Sequence, residues 1–247
     1  GGLITSHVGL ANLPKFPPVD SIGWIPITTA IAGLLAVILA FVDGKRRLAP
    51  VMAVVVALAV YLAGKPTFAR ELSQFWPLGL GFAAAAGVAL VGAAKLADKT
   101  FAPAVWIGLL LTAAIAALCA LWAPSALLAM LLGSMATTAG AIGIGGLILR
   151  IHEPAPLAQG VFMAHLAGTV VYTHLYAKLP MLPVLLIAAA VAAPTVVALI
   201  PGDSVKQRWL RSGVAVALAA ALVGGAALIM HSKLANEKSD PANMYGG

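Results

Sequence analysis

The feature that most restricts this chain is a succession of long apolar runs that begins at Trp24 and ends near His231. A bilayer core about 30 Å thick is crossed by roughly 20 residues of α-helix, and in lipid every backbone N–H and C=O must be paired within the segment. Each run is therefore expected to be a membrane-crossing helix, with spans near 24–42, 48–64, 76–94, 104–122, 125–149, 157–176, 182–200 and 212–231. The second is short, and only Ala123-Pro124 separates the fourth from the fifth, so seven and eight crossings both stay open at this point. The expected fold class is all-α: a polytopic transmembrane helical bundle of about eight helices, arranged as four tandem hairpins. An exterior amino-terminal segment (1–23), the transmembrane domain (24–231) and an exterior carboxy-terminal tail (232–247) follow from the same reading.

Composition agrees. Hydrophobic residues make up 62% and charged residues 9%, whereas a soluble domain is about one quarter charged. The recurrence of the runs sets the chain apart from one carrying a single cleavable leader, whose apolar core is one stretch of roughly 7–15 residues. Residue 1 is Gly rather than Met, as expected where an initiator or leader is removed or where numbering begins inside a larger product.

Charge sets the expected orientation. Lys45, Arg46, Arg47, Lys95, Lys99, Arg150, Lys206, Arg208 and Arg211 fall in one alternate set of connections, and only Lys65, Arg70 and Lys178 in the other. Cytoplasmic loops carry the excess of Lys and Arg, so both termini are expected outside the cytoplasm, in a bacterial inner membrane. The net charge of +7 is scattered over short connections rather than gathered into a basic patch with aromatic neighbours, which argues against nucleic acid as a partner. The only cysteine, Cys119, lies in an apolar run. An intrachain disulfide and a thiolate metal cluster are thereby excluded, and a small buried residue is expected.

A repeat is suggested by three evenly spaced Ala-Pro pairs, Ala49-Pro50, Ala102-Pro103 and Ala155-Pro156, each following a basic connection and opening the next helix. Proline is tolerated in a first turn, where its missing N–H would be unpaired anyway. Trp24 with Pro26 and Trp76 with Pro77 open the first and third helices in a similar way. Duplication of a two-crossing hairpin would give parallel repeats, unlike the inverted repeats of many secondary transporters.

All acidic residues, Asp20, Asp43, Glu71, Asp98, Glu153, Asp203, Glu237 and Asp240, fall in connections or tails, and no helix centre holds a lysine or arginine. Proton-coupled transporters mark their route with such groups, because an ionisable side chain in lipid is costly. Their absence argues against proton coupling, while uniport and sites built from backbone groups stay open.

The sixth helix is the most polar. At 100° per residue, His165, Thr169, Tyr172 and Tyr176 form one stripe, expected to face protein, a cofactor or a wet cavity. His174 falls on the opposite face from His165, so the two cannot serve one site. Interhelical hydrogen bonding is the plain reading of the stripe; ligation of haem, chlorophyll or a metal by His165 or His174, or a solute pathway, is the sharper one. On the fifth helix, Gly133, Thr137, Ala141 and Gly145 recur at steps of four. Small residues so spaced let helix backbones approach closely, and Ser134, Thr137 and Thr138 offer a narrow polar path as the alternative. His152 and Glu153, in a basic loop without a second metal-ligand pair, read as solvated surface. Ser134 lacks the Gly-x-Ser-Gly context of an intramembrane serine protease.

The stretch Gly146-Leu147-Ile148-Leu149-Arg150, followed by Pro154 and Pro156, resembles the corresponding region of cytochrome c-type haem-handling proteins. The tryptophan-rich haem-binding motif of that family is absent, so the resemblance implies no residue role.

The reading that accounts for most of these observations is a non-catalytic integral membrane subunit that scaffolds or anchors a larger complex, with the lipid bilayer and other membrane subunits as partners and no resident metal. A small-solute or ion permease using the fifth and sixth helices is the alternative, and a haem- or pigment-binding redox subunit using His165 or His174 is the second. On the first reading, leucine at Gly140 or Thr137 is expected to disrupt assembly, and alanine at His165 to leave it intact. The final residues, with Pro241, Asn243 and two glycines, have little to bury and are expected to be disordered unless a partner orders them.

Overall fold

The computed structural model describes residues 9, 22–41, 45–68, 73, 75–96, 102–123, 125–149, 156–198 and 204–239. Among these the chain forms eight helices and no strands: α1 (Trp24–Phe41), α2 (Lys45–Phe68), α3 (Phe75–Leu96), α4 (Ala102–Trp122), α5 (Ala126–Ile148), α6 (Pro156–Ala177), α7 (Met181–Ala198) and α8 (Val205–Ser239). The junction at Ala123-Pro124 does separate two helices. Ser125 has non-helical dihedrals (φ −131°, ψ 86°), and helix α5 starts from it. Helix α2 begins at Lys45, so Pro50 lies inside it rather than at its first turn. Helix α8 runs beyond His231 to Ser239, and so takes up the first part of the expected tail. Arg150, His152, Glu153 and residues 240–247 lie outside the described residues, as does nearly all of 1–23.

Among the described residues, three helical segments are long and apolar enough to cross a membrane: Pro103–Trp122, Ala126–Ile148 and Lys206–Asn236. Shorter apolar stretches run over Trp24–Leu39, Pro50–Lys65, Phe75–Val91 and Met181–Ala193. The polar helix α6 belongs to neither group, for a reason visible in its place. It packs against α1, α2, α3, α4, α5 and α7, and every residue from Phe162 to Val171 is buried. A helix enclosed by protein on all sides meets its neighbours' side chains rather than lipid or water, so it can carry Gln, His and Thr that an outward-facing helix could not. Helix α8 packs on α4 and α7.

Consecutive helices pair strongly at α2–α3, α4–α5 and α7–α8, whereas α3 and α4 share no substantial packed face among the described residues. The packing scheme is therefore not four tandem hairpins. Close approach of α4 and α5 accounts for part of the difference. Ala113, Ala116 and Ala120 of α4 and Ala136, Ala139, Gly140 and Gly143 of α5 are buried, and small residues allow the backbone proximity that drives helix association in lipid. A Cβ at Gly143 would lie 3.2 Å from the Trp106 Cβ and 3.6 Å from the Ile107 backbone N, and one at Gly140 would lie 3.3 Å from a Leu110 methyl. Cys119 is buried in the same core.

Candidate functional site

Polar side chains inside the bundle concentrate where α1 meets α6. Thr29 Oγ1 lies 2.7 Å from the Ile25 carbonyl and 2.7 Å from His165 Nδ1, and both residues are buried. A hydroxyl carries one proton. With that proton donated to the Ile25 carbonyl, as helix threonines commonly do, His165 Nδ1–H is the donor to the Thr29 oxygen. This network assigns the tautomer and leaves the imidazole lone pair on Nε2. Thr169 donates to the His165 carbonyl at 2.9 Å and Thr173 to the Thr169 carbonyl at 2.8 Å. Their hydroxyls are thus used by the helix that bears them.

The stripe read from the sequence splits into two parts. His165 and Thr169 are fully buried. Tyr172 and Tyr176 lie towards the end of α6, their ring centroids 4.4 Å apart and tilted by 34°, with Tyr176 exposed. His174 is set apart from both, because its Nδ1–H donates to the Leu179 carbonyl and helps close the turn into α7. One turn further on, a Cβ on Gly168 would meet Ile25 at 3.6 Å and the Ala59 carbonyl at 3.9 Å, ordinary packing distances. No described histidine, cysteine or carboxylate joins His165 in a group of three able to hold a metal ion. What the structure shows at His165 is an interhelical hydrogen bond to Thr29.

On α5, Gly133, Thr137, Ala141 and Gly145 do not take part in the contact with α4. Thr137 and Ala141 are exposed, and nothing approaches within 4 Å of a Cβ built at Gly133 or Gly145. The rows that pack are the neighbouring ones, through Ala136 and Gly140 and through Ala139 and Gly143. Gly140→Leu accordingly reports on α4–α5 packing rather than on assembly. Ser134, Thr137 and Thr138 donate to the carbonyls of Leu131, Gly133 and Ser134 at 2.7, 3.0 and 2.9 Å, so these hydroxyls point back to their own helix.

Four features were not singled out from the sequence. Gln159, in the first turn of α6, is fully buried, and neither its Nε2 nor its Oε1 has a hydrogen-bond partner among the described residues. Arg211, counted above as a loop cation, is fully buried. Trp106 meets Phe162 edge-on at a centroid distance of 6.0 Å, joining α4 to α6. Lys178 has φ 59°, the left-handed conformation that L side chains other than Asn and Asp adopt at a cost. A single Gln in an apolar run was a visible signal; the others depend on tertiary placement.

A double-mutant cycle tests the α1–α6 link. Thr29→Val keeps the shape and removes the hydroxyl, which is expected to cost about 1 kcal/mol. His165→Ala also removes a buried ring, so about 2–4 kcal/mol is expected in denaturant unfolding of the detergent-solubilised chain. Simple additivity of the two would show that the hydrogen bond contributes nothing.

No protein-family model, curated relative or solved structure matches this chain. The class that fold and site define is accordingly the coarse one: an all-helical protein with three membrane-length apolar helices, suited to association with a membrane.

Proposed function

We propose that this chain is a multi-pass, non-catalytic integral membrane subunit that scaffolds or anchors a larger complex, with all eight helices in the bilayer and α5 as its docking face. One observation carries the reading: the row Gly133, Thr137, Ala141 and Gly145 lies on the outer side of a membrane-length helix whose other side is fully used against α4. Lipid tails gain nothing from a row of small residues, whereas a second helix gains close van der Waals contact. Large exposed side chains, Met130, Ile144 and Leu147, flank the row and supply the margins of such a contact.

The distribution of Lys and Arg supports placing both termini on the non-cytoplasmic side of a bacterial inner membrane. The shorter apolar stretches are compatible with crossing, because local thinning and flanking polar residues absorb a few ångströms of mismatch. Permeation by way of α5 and α6 is less well supported, since the serine and threonine hydroxyls Ser134, Thr137, Thr138, Thr169 and Thr173 are bonded to their own backbones.

The test is purification from native membrane in mild detergent, with mass analysis of the intact particle. The native chain should travel with stoichiometric partner subunits, and Thr137→Leu should release it as a folded monomer. Unchanged co-purification of Thr137→Leu would sink the assignment of α5. A Soret or chlorophyll band belonging to this chain, lost in His165→Ala while assembly survives, would replace the scaffold reading with the redox one.

A further inference from the structure

Where α6 ends, a cleft of about 370 Å³ opens between the start of α1, the α4–α5 junction and the tyrosine pair, lined among others by Ile22, Ser125, Leu128, Tyr172, Tyr176 and Lys178. Its size falls within the range of small-ligand sites, roughly 300–1,000 Å³. Its lining is neither a plain apolar groove nor a hydrated surface. Ile22 and Leu128 provide apolar contact, the two stacked tyrosines an amphipathic wall, and Lys178 a cation at the rim.

Lys178 is fixed there by the fold. Its left-handed backbone (φ 59°) is held between two bonds, from the Leu179 N–H to the Thr173 carbonyl at 3.3 Å and from His174 Nδ1–H to the Leu179 carbonyl. Helices usually close through a glycine in this conformation, so a lysine here accepts backbone strain that glycine would avoid. Across the cleft, Ser125 precedes α5 without a side-chain capping bond, and the first turn of α5 holds no acidic residue.

We infer that this cleft binds an anionic phosphate group carried on a partly apolar molecule, the phosphate between Lys178 and Ser125 and the apolar portion against Ile22, Leu128 and the tyrosine pair. Two sources share this chemistry, an anionic phospholipid headgroup and a soluble phosphate compound. The site is independent of the docking face on α5.

Native mass spectrometry of the full-length chain in detergent, titrated with phosphatidylglycerol, phosphatidylcholine or inorganic phosphate, separates them. Phosphatidylglycerol should bind more tightly than phosphatidylcholine. Lys178→Met should weaken its binding roughly fivefold to tenfold, the loss of one partly exposed charged contact, and Lys178→Arg should restore most of it. Lys178→Gly removes the cation while relaxing the backbone, so it should lose binding without losing thermal stability, which separates recognition from folding. Displacement of the lipid by inorganic phosphate, with the same dependence on Lys178, assigns the site to a soluble phosphate compound. Equal binding by the native chain and Lys178→Met, or binding of neither lipid nor phosphate by the native chain, overturns the inference.

Discussion

Leucine at position 143 is expected to separate α4 from α5, while leucine at position 133 on the same helix leaves the fold standing. The two substitutions are chemically identical and differ only in what they face. At Gly143 a Cβ alone would sit 3.2 Å from the Trp106 Cβ, with the Ile107 backbone N at 3.6 Å. Neither is the free end of a flexible side chain, so the helices must move apart. Overpacking of this kind costs about 1–3 kcal/mol even where neighbours can yield, and here about 3 kcal/mol or more is expected. At Gly133 nothing lies within 4 Å, and replacing a mid-helix glycine contributes up to about 1 kcal/mol of helix propensity. Thermal unfolding in detergent, followed by circular dichroism, should show a large fall for Gly143→Leu and none for Gly133→Leu. The proposed docking face adds a second readout, because Gly133→Leu should lose partner subunits while keeping its own melting temperature. Equal melting temperatures for the two variants would mean that α5 is rotated from the orientation described.

Trp106→Ala carries the second large effect. The indole is 4% exposed and reaches two elements at once. It stands edge-on to Phe162 of α6 at 6.0 Å, and its Cβ forms the floor against which Gly143 of α5 rests. Truncating a buried tryptophan costs about 3–5 kcal/mol through lost contacts and the residual cavity, and an edge-to-face pair adds about 0.5–1.5 kcal/mol. The expected outcome is a loss of several kcal/mol in denaturant unfolding. Trp106→Phe retains an aromatic partner and should recover most of it. A small effect for Trp106→Ala would show that α4 and α6 are held together elsewhere.

The contrast between positions 133 and 143 also shows where sequence reading stops. Steps of four among small residues on the fifth helix identify a face competent for close packing. They do not say which of several interleaved small rows meets the neighbouring helix, since Ala136 with Gly140 and Ala139 with Gly143 are spaced as well as Gly133 with Thr137. The orientation of α5 is set by Leu110, Trp106 and Ile107 of α4, which accept the inner rows. The sixth helix shows a second limit of the same kind. Its stripe was expected to face protein, a cofactor or a wet cavity; in the structure it divides, with His165 bonded to Thr29 across helices and Tyr172 and Tyr176 lining a cleft. The partner Thr29 was not legible, because a threonine in an apolar run carries no mark of the helix it will touch.

Arg211 and Lys178 reverse the expectations attached to their positions. Arg211 lies within α8, near its start, whereas Lys178 lies in the connection between α6 and α7. Arg211 is fully buried, and Lys178 sits at the rim of a cleft in a left-handed turn. Counting charges along a chain gives their distribution between connections, but burial depends on which helix ends converge.

The sequence by itself determined the all-helical class and the number and rough limits of the helices once Pro124 is read as a break. These follow from local rules: apolar length, backbone pairing in lipid and the period of 3.6 residues. Tertiary structure alone decided that α6 is central, that α3 and α4 stand apart despite adjoining in sequence, and that Gly133 faces outward while Gly143 faces in. The reason is physical. An apolar helix in an apolar surrounding is nearly indifferent to its rotation, so its orientation is fixed by shape fit with particular neighbours, a property of pairs of helices rather than of any one segment.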